Sequence, residues 1–318
     1  MSRRGISDSH SRHKMNGSRE NVREMPELPD IVTYIKALER FVVGERLERV
    51  RISGISLLGS YDPPIEAAEG KRVLGLRRLG KRIVFELEGD LFLVLHLMVA
   101  GRIRWKERGA TIPKRVGLAA FDFPHGTLLL TEASTRKRAT LHLVKGEEGL
   151  VDHSRGGLEV LDSTADEFAD RLLSVSHTVK RALTDPRYFS GIGNAYSDEI
   201  LHRAKLSPFK KTRQMTREEA QALYGAVVEV LGEWTDLLTA EVGDGFPDKV
   251  TAFRPEMAVH GKYGEPCPVC GSPVQRVVYA SNEMNYCAGC QTGGKILADR
   301  SLSRLLKDEF PKTLEDLE

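Results

Sequence analysis

The chain has 318 residues, of which 41% are hydrophobic and 29% charged, with a net charge of +2 and four cysteines. That length suggests two domains of ordinary size with a sizeable core, in a soluble, globular chain, and the near-neutral charge does not by itself announce a nucleic-acid binder. No apolar run reaches membrane-spanning length, since Leu91 to Val99 is too short and contains His96, and no signal-peptide core opens the chain.

Residues 1–24 are polar, rich in Ser and Arg and without periodicity, so they are expected to be disordered. After Pro29 a helical pattern begins, with Ile31, Ile35, Leu38 and Val42 three to four residues apart and Gly44 closing it. From Leu47 to about Leu143 the chain reads as strands. Ile83–Leu87, Leu91–Leu95, Arg102–Trp105 and Leu128–Leu130 are separated by Gly-containing turns, which suggests a sandwich or barrel. The second half reads as helical, over Leu172–Leu183, Asn194–Ala204, Thr216–Leu238 and Asp299–Leu306. Basic runs stand at Arg77-Arg78, Lys81-Arg82, Arg136-Lys137-Arg138, Lys180-Arg181 and Lys210-Lys211. Each alone suits a solvated face, while several beside turns suit phosphate contact.

Between the last two helical segments lie all the cysteines, as Cys267-Pro-Val-Cys270, sixteen residues, then Cys287-Ala-Gly-Cys290. Two C-x-x-C pairs at this separation are expected to form two hairpin turns whose thiolates converge on one structural zinc. A redox pair needs only one such motif. Reduced cysteines, with no signal or membrane span, point to the cytoplasm.

Two further segments carry chemistry. Met25-Pro26-Glu27-Leu28-Pro29-Asp30 precedes the first helix and, taken alone, is an ordinary helix start. Gly191-Ile192-Gly193-Asn194-Ala195-Tyr196-Ser197-Asp198-Glu199 reads either as a tight turn between helices or as a glycine-rich approach to a phosphate at a helix N-terminus.

Together with the cysteines, these segments resemble the formamidopyrimidine-DNA glycosylase / endonuclease VIII family of base-excision repair. The order is the same: PELP(E/D), a β-sandwich, a helix–two-turn–helix motif with G-(I/V)-G-N-x-Y-x-x-E, and a four-cysteine finger. The likeness runs from Met25 to Cys290. It implies an α+β fold with an N-terminal helix and β-sandwich domain over 25–150, a helix–two-turn–helix domain over 151–262 and a zinc finger over 263–291. Residues 1–24 and 292–318 are extensions. The first is a disordered extension or a misassigned start, because Pro26 matches the family's N-terminal catalytic proline and an amide nitrogen is no nucleophile.

The resemblance further implies that Pro26 attacks the sugar C1′ and forms a Schiff base, with Glu27 as acid at the ring oxygen and Lys81 as the β-turn lysine that grips phosphate and assists elimination. Asn194 is implied as a phosphate ligand, and Cys267, Cys270, Cys287 and Cys290 as ligands of one structural zinc. An α-amine titrates near 8, well below a lysine, so it is the better nucleophile at neutral pH. Three positions depart from the pattern. Asn282 stands where the finger has a phosphate-binding arginine, so β-elimination is expected rather than δ-elimination. Val99 occupies the intercalating slot of H-L-G-M-S-G, beside Met98. Thr131–Arg138 replaces D-P-R-R-F-G, with Arg136, Lys137 and Arg138 as substitutes for the missing wedge. Residues 241–261 also lack the loop that closes over 8-oxoguanine, leaving the base open.

The expected partner is double-stranded DNA with a damaged base or abasic site, bound by a monomer. The expected activity is a DNA glycosylase with AP-lyase activity; the other reading is a non-catalytic, damage-specific DNA-binding protein of the same fold. His96, Trp105 and Trp234 read as core residues, and His260 as either structural or near DNA.

Overall fold

The computed structural model describes residues 25–248, 250–251, 253–279, 282–298 and 311–317, with Tyr279 and Asn282 as backbone only. The expectations for 1–24, for the helix over Asp299–Leu306 and for the Asn282 side chain therefore lie outside the described residues.

Helix α1 (Leu28–Val42) starts with a reciprocal cap, in which the Glu27 N–H donates to Asp30 Oδ2 at 2.9 Å. Its apolar residues serve two cores. Leu28 packs with the helices that follow, while Ile31, Tyr34, Leu38 and Val42 pack into the sandwich. The sandwich comprises β1 (Arg49–Ile52), β2 (Val73–Leu79), β3 (Arg82–Leu87), β4 (Leu91–His96), β5 (Gly101–Lys106), β6 (Gly117–Phe123), β7 (Gly126–Glu132) and β8 (Thr140–Lys145). They form two antiparallel four-stranded sheets, β1-β6-β7-β5 and β2-β3-β4-β8. Phe85, Leu93 and Leu95 of one sheet and Phe121, Leu128 and Leu130 of the other face a shared interior. The expected sandwich is present.

A short helix α2 (Glu148–Val151) leads to α3 (Ala165–Leu173), α4 (Val179–Thr184), α5 (Asn194–Arg203) and α6 (Arg217–Val242). The single helical stretch expected over Leu172–Leu183 is two helices. The chain leaves α3 at Ser174, and Thr178 begins α4 by accepting the Arg181 N–H on its hydroxyl. Helix α6 packs on α1 as well as on α3 and α5, and Arg40 of α1 donates to the carbonyls of Gly243 and Gly245 beyond its end.

The finger is a hairpin, β9 (Val274–Tyr279) and β10 (Asn282–Cys287), followed by α7 (Ala288–Thr292). Only the first cysteine pair lies in a turn. The second opens α7, with Cys287 as its cap, so the expected pair of hairpin turns is a turn and a helix start. Residues 294–296 and 312–314 pair with each other, and Leu297 and Leu314 pack against the hairpin.

Two buried carboxylates dock the finger on α5. Glu199 accepts the N–H groups of Ala258, Val259 and His260 at 2.8–3.0 Å. Asp198 takes Lys180 Nζ at 2.5 Å, His260 Nδ1 at 2.8 Å and the Asn285 N–H at 3.1 Å. Burial pushes the Glu199 carboxyl above its usual range, and the three N–H bonds pull it back. Glu199→Ala leaves three buried donors without their acceptor. The expected cost is about 2–4 kcal/mol, seen as a lower urea midpoint; an unchanged midpoint contradicts this account of the docking.

Candidate active site

Glu27 is 2% exposed and is held by a partner far along the chain. Its Oε2 accepts the Gly193 N–H at 2.5 Å and its Oε1 the Ala195 N–H at 2.9 Å. These are free donors at the first turn of α5, where the helix dipole also favours an anion. The approach depends on glycine. Gly191 has φ +84° and its carbonyl accepts the Leu28 N–H at 3.0 Å, and a Cβ there would lie 2.9 Å from Leu28. A Cβ on Gly193 would lie 2.3 Å from Lys81 Nζ and 2.4 Å from Glu27 Cδ. Glu27 and Lys81 therefore converge on one point above α5, and Pro26 is buried beside them.

Lys81 and Arg82 follow the β2–β3 turn at Gly80, which has φ +63°. A cavity of about 290 Å³ opens there, lined among others by Met25, Lys81, Arg82, His96 and Arg155. His96, expected in the core, is half-buried and faces this cavity. Burial and the neighbouring Arg82 and Lys81 push its imidazole down to about 3, so it stays neutral. Apolar periodicity hid it, because β4 ends at His96 and its last residue turns toward the opening.

Four cations of the basic runs are already neutralised. Lys180 is bound by Asp198, Lys210 by Glu219, Arg77 by Glu86 and Glu147, and Arg78 by Glu159. Among the described residues, Lys81, Arg82, Arg136 and Arg138 form no ion pair. The loop bearing the last two folds around Glu132, which is 1% exposed. The Glu132 carboxylate accepts the N–H groups of Arg138 and Ala139 and the Ser134 hydroxyl, while Lys137 Nζ donates to the Glu132 carbonyl. Arg136 and Arg138 are left exposed, and Lys137 is turned inward.

Asn194 Nδ2 donates to the Glu283 carbonyl at 2.7 Å, joining α5 to β10. His260 is 2% exposed and bound to Asp198, so it is part of the packing that docks the finger on α5. A second cavity, of about 490 Å³, lies between α1 and the end of α6 and is lined by Asp30, Thr33, Glu241, Phe246 and Arg254. Asp30, read from sequence only as a helix-start acid, is buried here. Burial pushes its carboxyl up to about 6, against the Glu27 N–H bond. The four cysteine sulfurs lie within 4.8 Å of one another, with Cys270–Cys287 at 3.3 Å and Cys267–Cys290 at 3.8 Å, an arrangement that could hold one metal ion.

A family profile described as the formamidopyrimidine-DNA glycosylase N-terminal domain matches residues 25–192, and one for the H2TH domain of the same enzymes matches 157–237. The formamidopyrimidine-DNA glycosylase of Thermus thermophilus is 34% identical over 283 residues, covering 85% of this chain and all of that protein. The chain belongs to the formamidopyrimidine-DNA glycosylase family. The crystal structure of the Thermus thermophilus MutM (Fpg) protein matches with a TM-score of 0.71 at 33% identity, over 84% of this chain and 98% of that one. Lactococcus lactis Fpg in complex with DNA containing an abasic site matches with a TM-score of 0.72 at 25% identity, over 84% and 99%. An uncharacterised formamidopyrimidine-DNA glycosylase-like protein of Mycobacterium tuberculosis is 42% identical over 151 residues, 48% of this chain and 94% of that protein.

Two outcomes follow for this member of the glycosylase family. Gly193→Ala has an allowed backbone but no room for its methyl, so it displaces Glu27 or Lys81. DNA affinity is expected to fall at least about tenfold with a destabilisation of about 1–3 kcal/mol; wild-type affinity by anisotropy would refute the convergence. Asp30 has a raised folded pKa, so its contribution is fully present below its unfolded value and is lost as pH rises through about 6. Stability should drop by roughly 3 kcal/mol between about pH 4 and pH 7 on this account. Asp30→Asn should flatten that part of the urea-midpoint profile, and parallel profiles would show the carboxyl does not titrate there.

Proposed function

We propose that the chain is a DNA glycosylase with AP-lyase activity acting on double-stranded DNA that carries a damaged base or an abasic site. The observation that carries this reading is the seating of Glu27 on the first turn of α5, directly beside Pro26 and Lys81. It joins a residue pair suited to sugar chemistry to a helix end suited to phosphate. The relatives solved with lesion or abasic-site DNA support the same partner.

In the proposed reaction the Pro26 amine attacks C1′ and the C1′–base bond breaks, its electron pair leaving with the base. The proton released by Pro26 passes to Glu27 and then to the ring oxygen as the ring opens. Glu27 acts first as the proton acceptor, and its carboxylate also opposes the positive charge of the iminium. Loss of a C2′ proton then breaks the C3′–O bond, which is β-elimination. A secondary amine reaches the iminium directly, but it must be free, so the Met25–Pro26 bond has to be cleaved.

Lys81 is assigned to the phosphate at the reacting sugar, and Asn194 to a neighbouring phosphate once it releases Glu283. Arg136 and Arg138, with Lys137 bracing the loop, are assigned to the space left by the flipped base. Asn282 at the finger tip brings no charge, which favours β- over δ-elimination. The cavity at Asp30 and Arg254 is the proposed seat of the extruded base. Cys267, Cys270, Cys287 and Cys290 are assigned to one zinc. Four thiolates at about 2.3 Å from a tetrahedral ion stand about 3.8 Å apart, close to the separations present, and such an ion stiffens the finger without activating water. The domain limits 25–150, 151–262 and 263–291, a monomeric state and a cytoplasmic setting with DNA complete the reading.

The test is borohydride trapping on duplexes with an abasic site, 8-oxoguanine or an oxidised pyrimidine, using protein beginning at Pro26. A covalent adduct is expected, and Pro26→Gly should lower it by at least about a hundredfold, as loss of a covalent nucleophile does. Tight binding with no adduct on any duplex would establish the non-catalytic DNA-binding reading instead.

A further inference from the structure

Beside the reactive centre lies a cluster that the reaction above does not use. His142 of β8 and His153, two residues beyond α2, meet edge to face with ring centroids 4.5 Å apart. His142 is held from the other side by Gly59. A Cβ there would lie 2.1 Å from the imidazole, so only a hydrogen fits. His153 lines the cavity with Arg82, Arg155 and His96.

The charge in this corner is one-sided. Arg82 is half-buried, and burial together with Arg155 pulls its guanidinium down from its ordinary value. Neither guanidinium has an ion pair or a hydrogen bond among the described residues. Lys81 and His96 face them from the β2–β3 turn and the end of β4. Two acids are near. Glu159 is bound by Arg78 and Ser190, and Asp152 acts weakly on His153. Both histidines are held below their usual range, first by burial and then, for His142, by Arg82 and, for His153, by His142 and Arg82. A folded protein does not keep partly desolvated cations beside neutral imidazoles to stabilise itself, since both arrangements cost free energy. They are suited to an anion that supplies the missing charge.

We propose that Arg82, Arg155, His142 and His153 form a second phosphate site next to the lyase centre, which takes one DNA backbone phosphate and a proton together. The arginines supply the fixed charge. The histidines are neutral in the free protein and become protonated when the phosphate's negative charge arrives, so binding takes up protons from solvent. Affinity is therefore highest at low pH and falls as pH rises through the bound-state pKa of the histidines, by up to about tenfold per pH unit for each proton. The inference rests on the chain binding DNA, as proposed above, but not on its chemistry.

The experiment uses the full chain with Pro26→Gly, so that no strand is cut, and a duplex carrying a tetrahydrofuran abasic analogue. Affinity is measured from pH 6 to 8.5 at fixed ionic strength, with proton uptake taken from calorimetry in two buffers of different ionisation enthalpy. The expected result is a dissociation constant that rises with pH, and net uptake near pH 7. His142→Gln/His153→Gln should flatten the slope, as should Gly59→Ala, which displaces His142 without altering any titrating group. In ¹H–¹³C spectra, the duplex should move the His142 and His153 Cε1 signals toward their protonated positions at pH 7. Equal slopes in wild type and both variants, or signals that do not move, overturn the site. Shifts caused by inorganic phosphate but not by the duplex overturn the backbone source and leave a small-anion site. Absence of duplex binding at every pH would count against the DNA reading itself, whereas tight, pH-independent binding counts against this inference alone.

Discussion

The architecture depends on one buried carboxylate. Glu27 bonds to N–H groups of Gly193 and Ala195, and this contact spans about half of the chain. It closes the orphan donors of α5 and fixes where Pro26 can lie. Around it, α1 contributes Leu28 to the helical core and Ile31 and Tyr34 to the sandwich core. The two halves of the protein therefore share one helix, and the reactive segment leads directly into it. Glycine at 191 and 193 is what lets the backbones come close enough for this.

Charge is distributed with similar economy. A basic run in sequence says little by itself, because Arg77, Arg78, Lys180 and Lys210 of these runs are spent on internal carboxylates. Lys180 holds the hub at Asp198, and Arg78 clamps Glu159. Among the cations of these runs without ion-pair partners, Lys81 and Arg82 stand at the β2–β3 turn and Arg136 and Arg138 in the loop around Glu132. A net charge of +2 thus hides a local positive field of the kind that steers and grips a polyanion.

Much of this was legible in the sequence, for identifiable reasons. Pro26, Glu27 and the cysteine pairs are contiguous motifs, and the strands announce themselves by apolar runs and glycine turns. The split between α3 and α4 was not legible, because Val175 continues the apolar spacing while Thr178 restarts the helix through its hydroxyl. Lys180 reads as solvated until the fold buries Asp198 next to it. His96 reads as core because its neighbours are apolar, and His142 and His153 carry no motif at all. Their significance is a matter of juxtaposition across β8, the segment after α2 and Gly59, which no local pattern encodes. The Asp30 signal was present in Met25–Asp30, but its burial comes from α6 and the segment that follows it, more than two hundred residues away.

The sharing of α1 between two cores has a bearing on how the protein is made. Synthesis delivers the reactive segment first and its seat on α5 more than 160 residues later. Contacts of such long range form late, since loop-closure entropy must be met before they stabilise anything. While the ribosome is still working on the helical half, Glu27 has no seat and Pro26 stays uncovered. The topology alone thus postpones assembly of the centre until α5 has been made.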